Sequence, residues 1–316
     1  TVLIFLDIGA SLQRSYSLAC GHSLRVSYPG VNSGPVRFAN TVPGQQLIAA
    51  ARHIYSANGV NTSYSEIMGL PNSQLNTVYW LPYYNNVNLN TQLHFGNVSV
   101  APATVRVFIG GVEMTGSPFN LGAGASTSRS FGGVNNGPVR IQSTQNIVAS
   151  QSVIYRINGV NTSFAEMMAL PNSQLSTTYW LPWYNNVHLD TQLRIANVSN
   201  STATVHVSIG GVAMPGSPFT LVSGGSQHLS FAGVDSGPVR IQSNQNIVAA
   251  ERVIYKVNGV NTSFSEMMAL PSSQLNTTYW FPHYNNVGLD TQLRIANVSN
   301  STATVRVFTG GVEMTG

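Results

Sequence analysis

Along residues 176–275, apolar and polar side chains alternate in short runs rich in Val, Ile, Thr and aromatic residues, with turn formers between them. A period of two marks strands with one buried face. The pattern predicts strands over 177–184, 191–198, 203–209, 218–221, 227–231, 238–242 and 247–255. Val205, Val207 and Ile209 share one face, Leu229 and Phe231 point inward, and Val239 and Ile241 flank an outward Arg240. Six or seven strands in ~100 residues predict an all-β fold, an Ig-like antiparallel β-sandwich. One short helix is predicted beside it. Ser163 and Glu166 form a Ser-x-x-Glu capping box, Met167, Met168 and Leu170 follow, and Pro171 stops the turn. The box recurs as Ser63/Glu66 and Ser263/Glu266, with the glutamates expected to cap free N–H groups.

The whole pattern repeats. Tyr79-Trp80 returns as Tyr179-Trp180 and Tyr279-Trp280, and Gly-Pro-Val-Arg stands at 34–37, 137–140 and 237–240. The period is 100 residues, or 103 in the first copy, which has three extra residues around Val42-Pro43-Gly44. Residues 155–216 and 255–316 align without a gap and are identical at 49 of 62 positions. Tandem modules of ~100 residues follow: a partial, atypical one over 1–75, complete ones over 76–175 and 176–275, and first strands only over 276–316. The stretch 156–176 is expected to join or brace neighbours. Residues 304–316 occupy the same repeat positions as residues 1–13. The expectation is a piece of a longer array, or ends completed by copies of the same chain. Strands 278–284, 291–298 and 303–308 would then leave Val305 and Val307 as a module or subunit contact.

Composition narrows the function classes. Charged residues make up 8%, against about 25% in an ordinary soluble protein. Neutral polar side chains replace them: 31 Asn, 36 Ser and 24 Thr. The net charge of +4 rests on 14 Lys and Arg, with Lys256 the only lysine. A nucleic-acid binder normally shows a dense basic face, so no nucleic-acid partner is expected. Cys20 stands alone, which rules out an internal disulfide framework. No apolar run approaches the ~18 residues of a membrane span, so no membrane insertion is expected. The apolar start lacks the basic flank of a signal peptide.

The three copies act as an internal control on chemistry. No histidine keeps its place: His94 matches Arg194 and Arg294, His53 matches Val153 and Val253, and His188 matches Asn88 and Gly288. A general base cannot be exchanged for Val or Gly. The position of Glu66, Glu166 and Glu266 alone keeps a carboxylate three times. No Ser/His/Asp set recurs, so no enzyme and no cofactor is expected. Asn185-Asn186 with Asp190 offers too few carboxylates for calcium and reads as an Asn-rich turn. Tyr79, Tyr83, Tyr179, Trp183, Tyr279 and His283 are candidate interface or sugar-stacking rings. Strand alternation places Trp180 with Tyr184 on one face and Tyr179 with Trp183 on the other. Nine Asn-x-Ser/Thr sequons, at Asn61, Asn97, Asn161, Asn197, Asn200, Asn261, Asn276, Asn297 and Asn300, are candidate glycan sites or turn formers.

The order Tyr-Trp-Leu-Pro…Asp-Thr-Gln-Leu-Arg-Ile-Ala-Asn-Val-Ser…Ala-Thr-Val over 179–205, with Gly-Pro-Val-Arg-Ile at 237–241 and Ile-Val-Ala-Ala-Glu-Arg-Val-Ile-Tyr at 247–255, resembles tandem β-sandwich modules of bacterial, Chloroflexi-like cell-surface proteins. The resemblance covers 29–316 well and 1–28 weakly. It implies an exported, extracellular, non-enzymatic array. The expected function is to form or decorate a filament, sheath or stalk by head-to-tail association. The alternative is a multivalent adhesin or carbohydrate-binding array, in which weak sites add through avidity. The ring at 83, 183 and 283 separates the two: packed between modules it supports the first, facing solvent beside a groove the second.

Overall fold

A computed structural model describes residues 2–6, 13–40, 42–57 and 59–315. The chain is all-β. Residues 76–171 and 176–271 build the same nine-stranded antiparallel assembly twice. In each, one strand of 19 residues belongs to two sheets. The first part of Val139–Ile157 pairs with Ala103–Ile109 and Asn76–Leu81, with Ile141 opposite Val107 and Tyr79. Its second part pairs with Asn90–Asn97 and Val160–Met168, with Val153 opposite Thr91 and Ala165. The register shifts between Gln142 and Ile147, where the strand passes from one sheet to the other.

The two sheets close face to face. Tyr79, Leu81, Val105, Val107 and Ile141 of one meet Leu93, Phe95, Ile147 and Ala149 of the other, all buried. Burying each large side chain contributes roughly 1.5–3 kcal/mol. The alternation read from the sequence supplies these inward positions. The second copy repeats them around Val239–Val257, with Ile241 between Val207 and Tyr179.

The expected helix is absent, and Val160–Met168 is a strand in its place. Ser163 lies opposite Tyr155 and Glu166 opposite Ser152. Ser63/Glu66 and Ser263/Glu266 sit likewise in Val60–Met68 and Val260–Met268. A two-residue turn decides the matter. Asn158 and Gly159 have φ of 49° and 81°, and Asn258 and Gly259 have 49° and 78°. Two left-handed residues make the turn that matches strand twist, and Asn-Gly fills it best. Among the described residues the only helical pieces are the 3-10 turns Asn72–Gln74, Asn172–Gln174 and Ser272–Gln274, which have no side-chain cap.

The incomplete copies differ from each other. Val2–Leu6 pairs with Gln13–Tyr16 and Val36–Asn40. Leu6 opposite Val36 and Val2 opposite Tyr16 reproduce, 103 positions earlier, Ile109 opposite Val139 and Val105 opposite Phe119. The extra residues of this copy fall between Val36–Asn40 and Ala50–Ala57, at the sheet crossing, and two strands stand where other copies have one. In 276–315 the strands expected over 278–284, 291–298 and 303–308 do not form. Only Phe308–Thr309 and Val312–Glu313 pair. Those runs need a long partner strand, and the 316 residues contain no counterpart of Val239–Val257 for this copy. Val305 is exposed and Val307 half-buried, the Val307 carbonyl accepting from Met314 N at 2.8 Å.

Candidate functional site: stacked hairpins between repeats

Three hairpins stand one per repeat: Ala50–Ala57 with Val60–Met68, the end of Val139–Ile157 with Val160–Met168, and the end of Val239–Val257 with Val260–Met268. Val160–Met168 packs against both of the other outer arms. Each hairpin has two faces. One carries the ring at 155 with residues 163, 165 and 167; the other carries 164, 166 and 168. At each junction the first face of one hairpin meets the second face of the next.

The first junction is polar. Ser63 Oγ accepts from Phe164 N at 2.9 Å, and Ser65 Oγ accepts from Glu166 N at 2.9 Å. Tyr55 stacks on Phe164, with ring centroids 6.4 Å apart and planes 16° from parallel. His53 Nδ1 lies 2.7 Å from Glu166 Oε2, and Ser150 Oγ donates to Glu166 Oε1 at 2.8 Å. The bond to Glu166 raises the His53 pKa above its ordinary value against the opposing effect of burial. Burial alone would raise the Glu166 pKa, but His53 and Ser150 hold it below the usual carboxylate range. His94 Nε2 lies 2.8 Å from Ser152 Oγ, and burial lowers its pKa.

At the second junction Tyr155 stacks on Phe264, centroids 5.7 Å apart and planes within 8°. Asn261 Nδ2 donates to Tyr155 OH at 3.1 Å, and Gln151 Nε2 donates to Glu266 Oε2 at 3.4 Å. Burial holds Glu266 above its ordinary pKa, opposed by Arg252 and Arg194. Ala165 replaces the stitching Ser65, and Ser163 Oγ is buried without a hydrogen-bond partner. Glu251, opposite Met267 in the third hairpin, is buried and its carboxyl is pushed up to about 7 by that burial, with Arg294 opposing.

Two of the glutamates expected to cap helices are therefore junction residues: Glu166 binds His53 and Glu266 accepts from Gln151, while Glu66 bonds Arg52 of its own hairpin at 2.6 Å. The sequence signal for this site was the Asn-Gly turn followed by alternating Thr, aromatic and Glu residues, a hairpin pattern that the capping box overlies.

The aromatic cluster divides otherwise than simple alternation predicts. Tyr79, Tyr84, Tyr179 and Tyr184 are fully buried. Trp80 and Trp180 are half-buried, their Nε1 donating to Asn172 Oδ1 and Ser272 Oγ at 2.9 and 3.0 Å. Trp180 and Tyr184 thus do not share a face. Strand Ser176–Leu181 ends before Pro182, and Tyr184–Asn185 is a separate strand, so the period of two does not run through. Tyr83 lies at a junction, with the Arg194 guanidinium 4.3 Å from its ring centre. Trp183 is exposed and its Nε1 donates to Asp235 Oδ1 at 2.8 Å. Tyr279 is exposed, while His283 has no ring contact among the described residues.

The sequons divide as well. Asn97 and Asn197 are completely buried. Asn197 Nδ2 donates to the carbonyls of Ser201, Leu221 and Val222 at 2.7, 3.0 and 3.1 Å. A nitrogen so enclosed is closed to a glycosyl donor, and these two sequons are packing elements. Asn261 is engaged with Tyr155, and Asn161 Oδ1 accepts from Arg156 Nε at 2.8 Å. Asn61, Asn200, Asn276, Asn297 and Asn300 are exposed. Asn185 Oδ1 accepts from Val187 N at 2.8 Å and Asn186 Oδ1 from Thr191 N at 3.0 Å, an Asx-turn arrangement. Among the described residues no three His, Cys, Asp or Glu side chains gather to share a metal ion. Among the described residues no helix is long and apolar enough to cross a membrane.

No family model matches the chain, and no curated protein does. A solved structure described as an anti-sigma factor domain-containing protein aligns over 87% of this chain and 97% of its own at 9% identity, with a TM-score of 0.17.

Proposed function

We propose that the chain is a non-enzymatic structural repeat protein of an extracellular bacterial array, a filament, sheath or stalk, in which sandwiches supply bulk and hairpin stacks join them. The observation that carries this is the double use of one junction: Tyr55 on Phe164 and Tyr155 on Phe264 place successive repeats in the same way. Stacked ring pairs contribute about 0.5–1.5 kcal/mol beyond their buried area. Tyr83 beneath Arg194 supports a joining role for that ring position over a sugar platform. The low charge suits close packing of copies against one another.

Small-angle scattering on the chain and on a Phe164→Ala, Phe264→Ala double variant tests it. Looser mutual placement of the sandwiches is expected, with each sandwich still unfolding cooperatively. Unchanged scattering would reduce the junctions to incidental contacts. The adhesin reading rests on exposed Trp183. Glycan-array binding lost in Trp183→Ala would transfer the assignment to carbohydrate recognition.

A further inference from the structure

The two junctions leave one hairpin face without a partner at each side of the stack, and the two faces are complementary. On the third hairpin, Tyr255 is 52% exposed, whereas its counterpart Tyr155 is 8% exposed. Met267 is exposed where Met167 is buried. On the first hairpin, Tyr64 is 54% exposed, whereas Phe264 in the same position is 4% exposed. Ile54 and Met68 beside Tyr64 are exposed as well. These are the ring and seat that make both internal junctions.

From this we infer that a second copy of the chain docks by laying the Tyr255 face of its third hairpin on the Tyr64 face of the first hairpin of its neighbour. Ser263 and Ser265 restore the serine pair that Ser63 and Ser65 use on the amides of Phe164 and Glu166. Their targets in the neighbour are the amides of Tyr64 and Glu66. The contact joins two different faces and so propagates instead of closing into a two-fold dimer. It deepens the structural-array reading and rests on it, but it is separate from strand completion through residues 303–308.

Analytical ultracentrifugation of the full chain decides it. Mass should rise with concentration beyond the dimer. Tyr255→Ala, Ser265→Arg and Tyr64→Ala should each weaken association about tenfold or more, with melting curves unchanged, while Tyr255→Phe retains association. Ser265→Arg copies keep the Tyr64 face and Tyr64→Ala copies keep the Tyr255 face. An equimolar mixture should therefore form one-to-one dimers and nothing longer. A chain that stays monomeric overturns the inference. So does association that all three face variants leave intact, although polymerisation through another surface would then still support the array.

Discussion

Residues 176–216 and 276–316 are nearly the same sequence in two conditions. The first carries strands Ser176–Leu181, Leu189–Asn197 and Ala203–Ile209; the second has none of the three. Yet the turns between them form in both. Asn285 Oδ1 accepts from Val287 N at 2.8 Å, as Asn185 does from Val187. Asn297 Nδ2 donates to the Ser301 carbonyl at 2.7 Å, as Asn197 does to Ser201. Turn chemistry is local and survives without a fold. Strand structure depends on a ladder partner far along the chain, here Val239–Val257.

The sharpest way to break this comparison is to remove the partner. Ile241 is wholly buried between Val207 and Tyr179. An unpaired carboxylate there should cost ~4 kcal/mol or more. Ile241→Asp is expected to put 176–209 into the condition of 276–309, while 76–171 stays folded. Amide exchange reads this directly: protection lost throughout the second sandwich and kept in the first. Protection retained in 203–209 would mean that these strands do not need the long one.

A paired substitution comes next. Asn197 makes three buried bonds to carbonyls, which Asn197→Ala would leave unsatisfied at about 1–3 kcal/mol. Asn297→Ala, at the same repeat position but exposed, should change the melting temperature by nothing measurable. Equal effects would show that residues 276–315 are closed in solution.

This division explains what was legible in the sequence. Inward positions such as Val205, Val207, Val239 and Ile241 were readable because alternation reports burial directly. The repeat frame put residues 1–13 at the positions of 304–316 despite a weak match, and the pairing of Val2–Leu6 follows that frame. The hairpins were misread because Ser163 and Glu166 satisfy a local helix rule while Asn158-Gly159 satisfies a stronger turn rule. The junction was invisible because Glu166 and His53 are 113 residues apart and meet only through stacking of whole hairpins. The missing partner of 276–315 was legible in the repeat frame, but alternation still predicted strands there, and without a ladder partner they do not form.

Glu251 tests the border between complete and incomplete copies. Burial raises its pKa to about 7, and Arg294, from 276–315, is the charge that opposes this. A raised carboxyl pKa means the folded state binds its proton more tightly than the unfolded state. Stability should therefore fall as pH rises from about 4.5 to about 7, by about 3 kcal/mol in all, and level off above. Glu251→Gln, the residue already present at 151, should flatten that slope in chemical denaturation. A slope unchanged by the substitution would locate the titration elsewhere.

The smallest effect concerns the first hairpin, Ala50–Met68, which belongs to no complete sandwich and still keeps its strands. Its Asn-Gly sequence favours the turn, but the hairpin also needs its seat, and His53 with Glu166 is part of that seat. His53 is raised above its ordinary pKa, so its contribution is full below about 6.5 and is lost as pH climbs through the raised value. Glu166 is lowered, so its contribution is present above about 4.5 and is lost as pH falls through the lowered value. The pair thus holds best between these limits. His53 is half-exposed, and solvent screening limits the gain to about 1 kcal/mol. Amides of residues 61–67 should exchange several-fold faster at pH 8.5 than at pH 6 after correction for intrinsic rates. His53→Gln should abolish the difference while leaving residues 203–209 untouched. A His53 titration midpoint at or below 6.5, measured by NMR, would mean that the ion pair is not what seats the hairpin, and the serine stitches would have to do it alone.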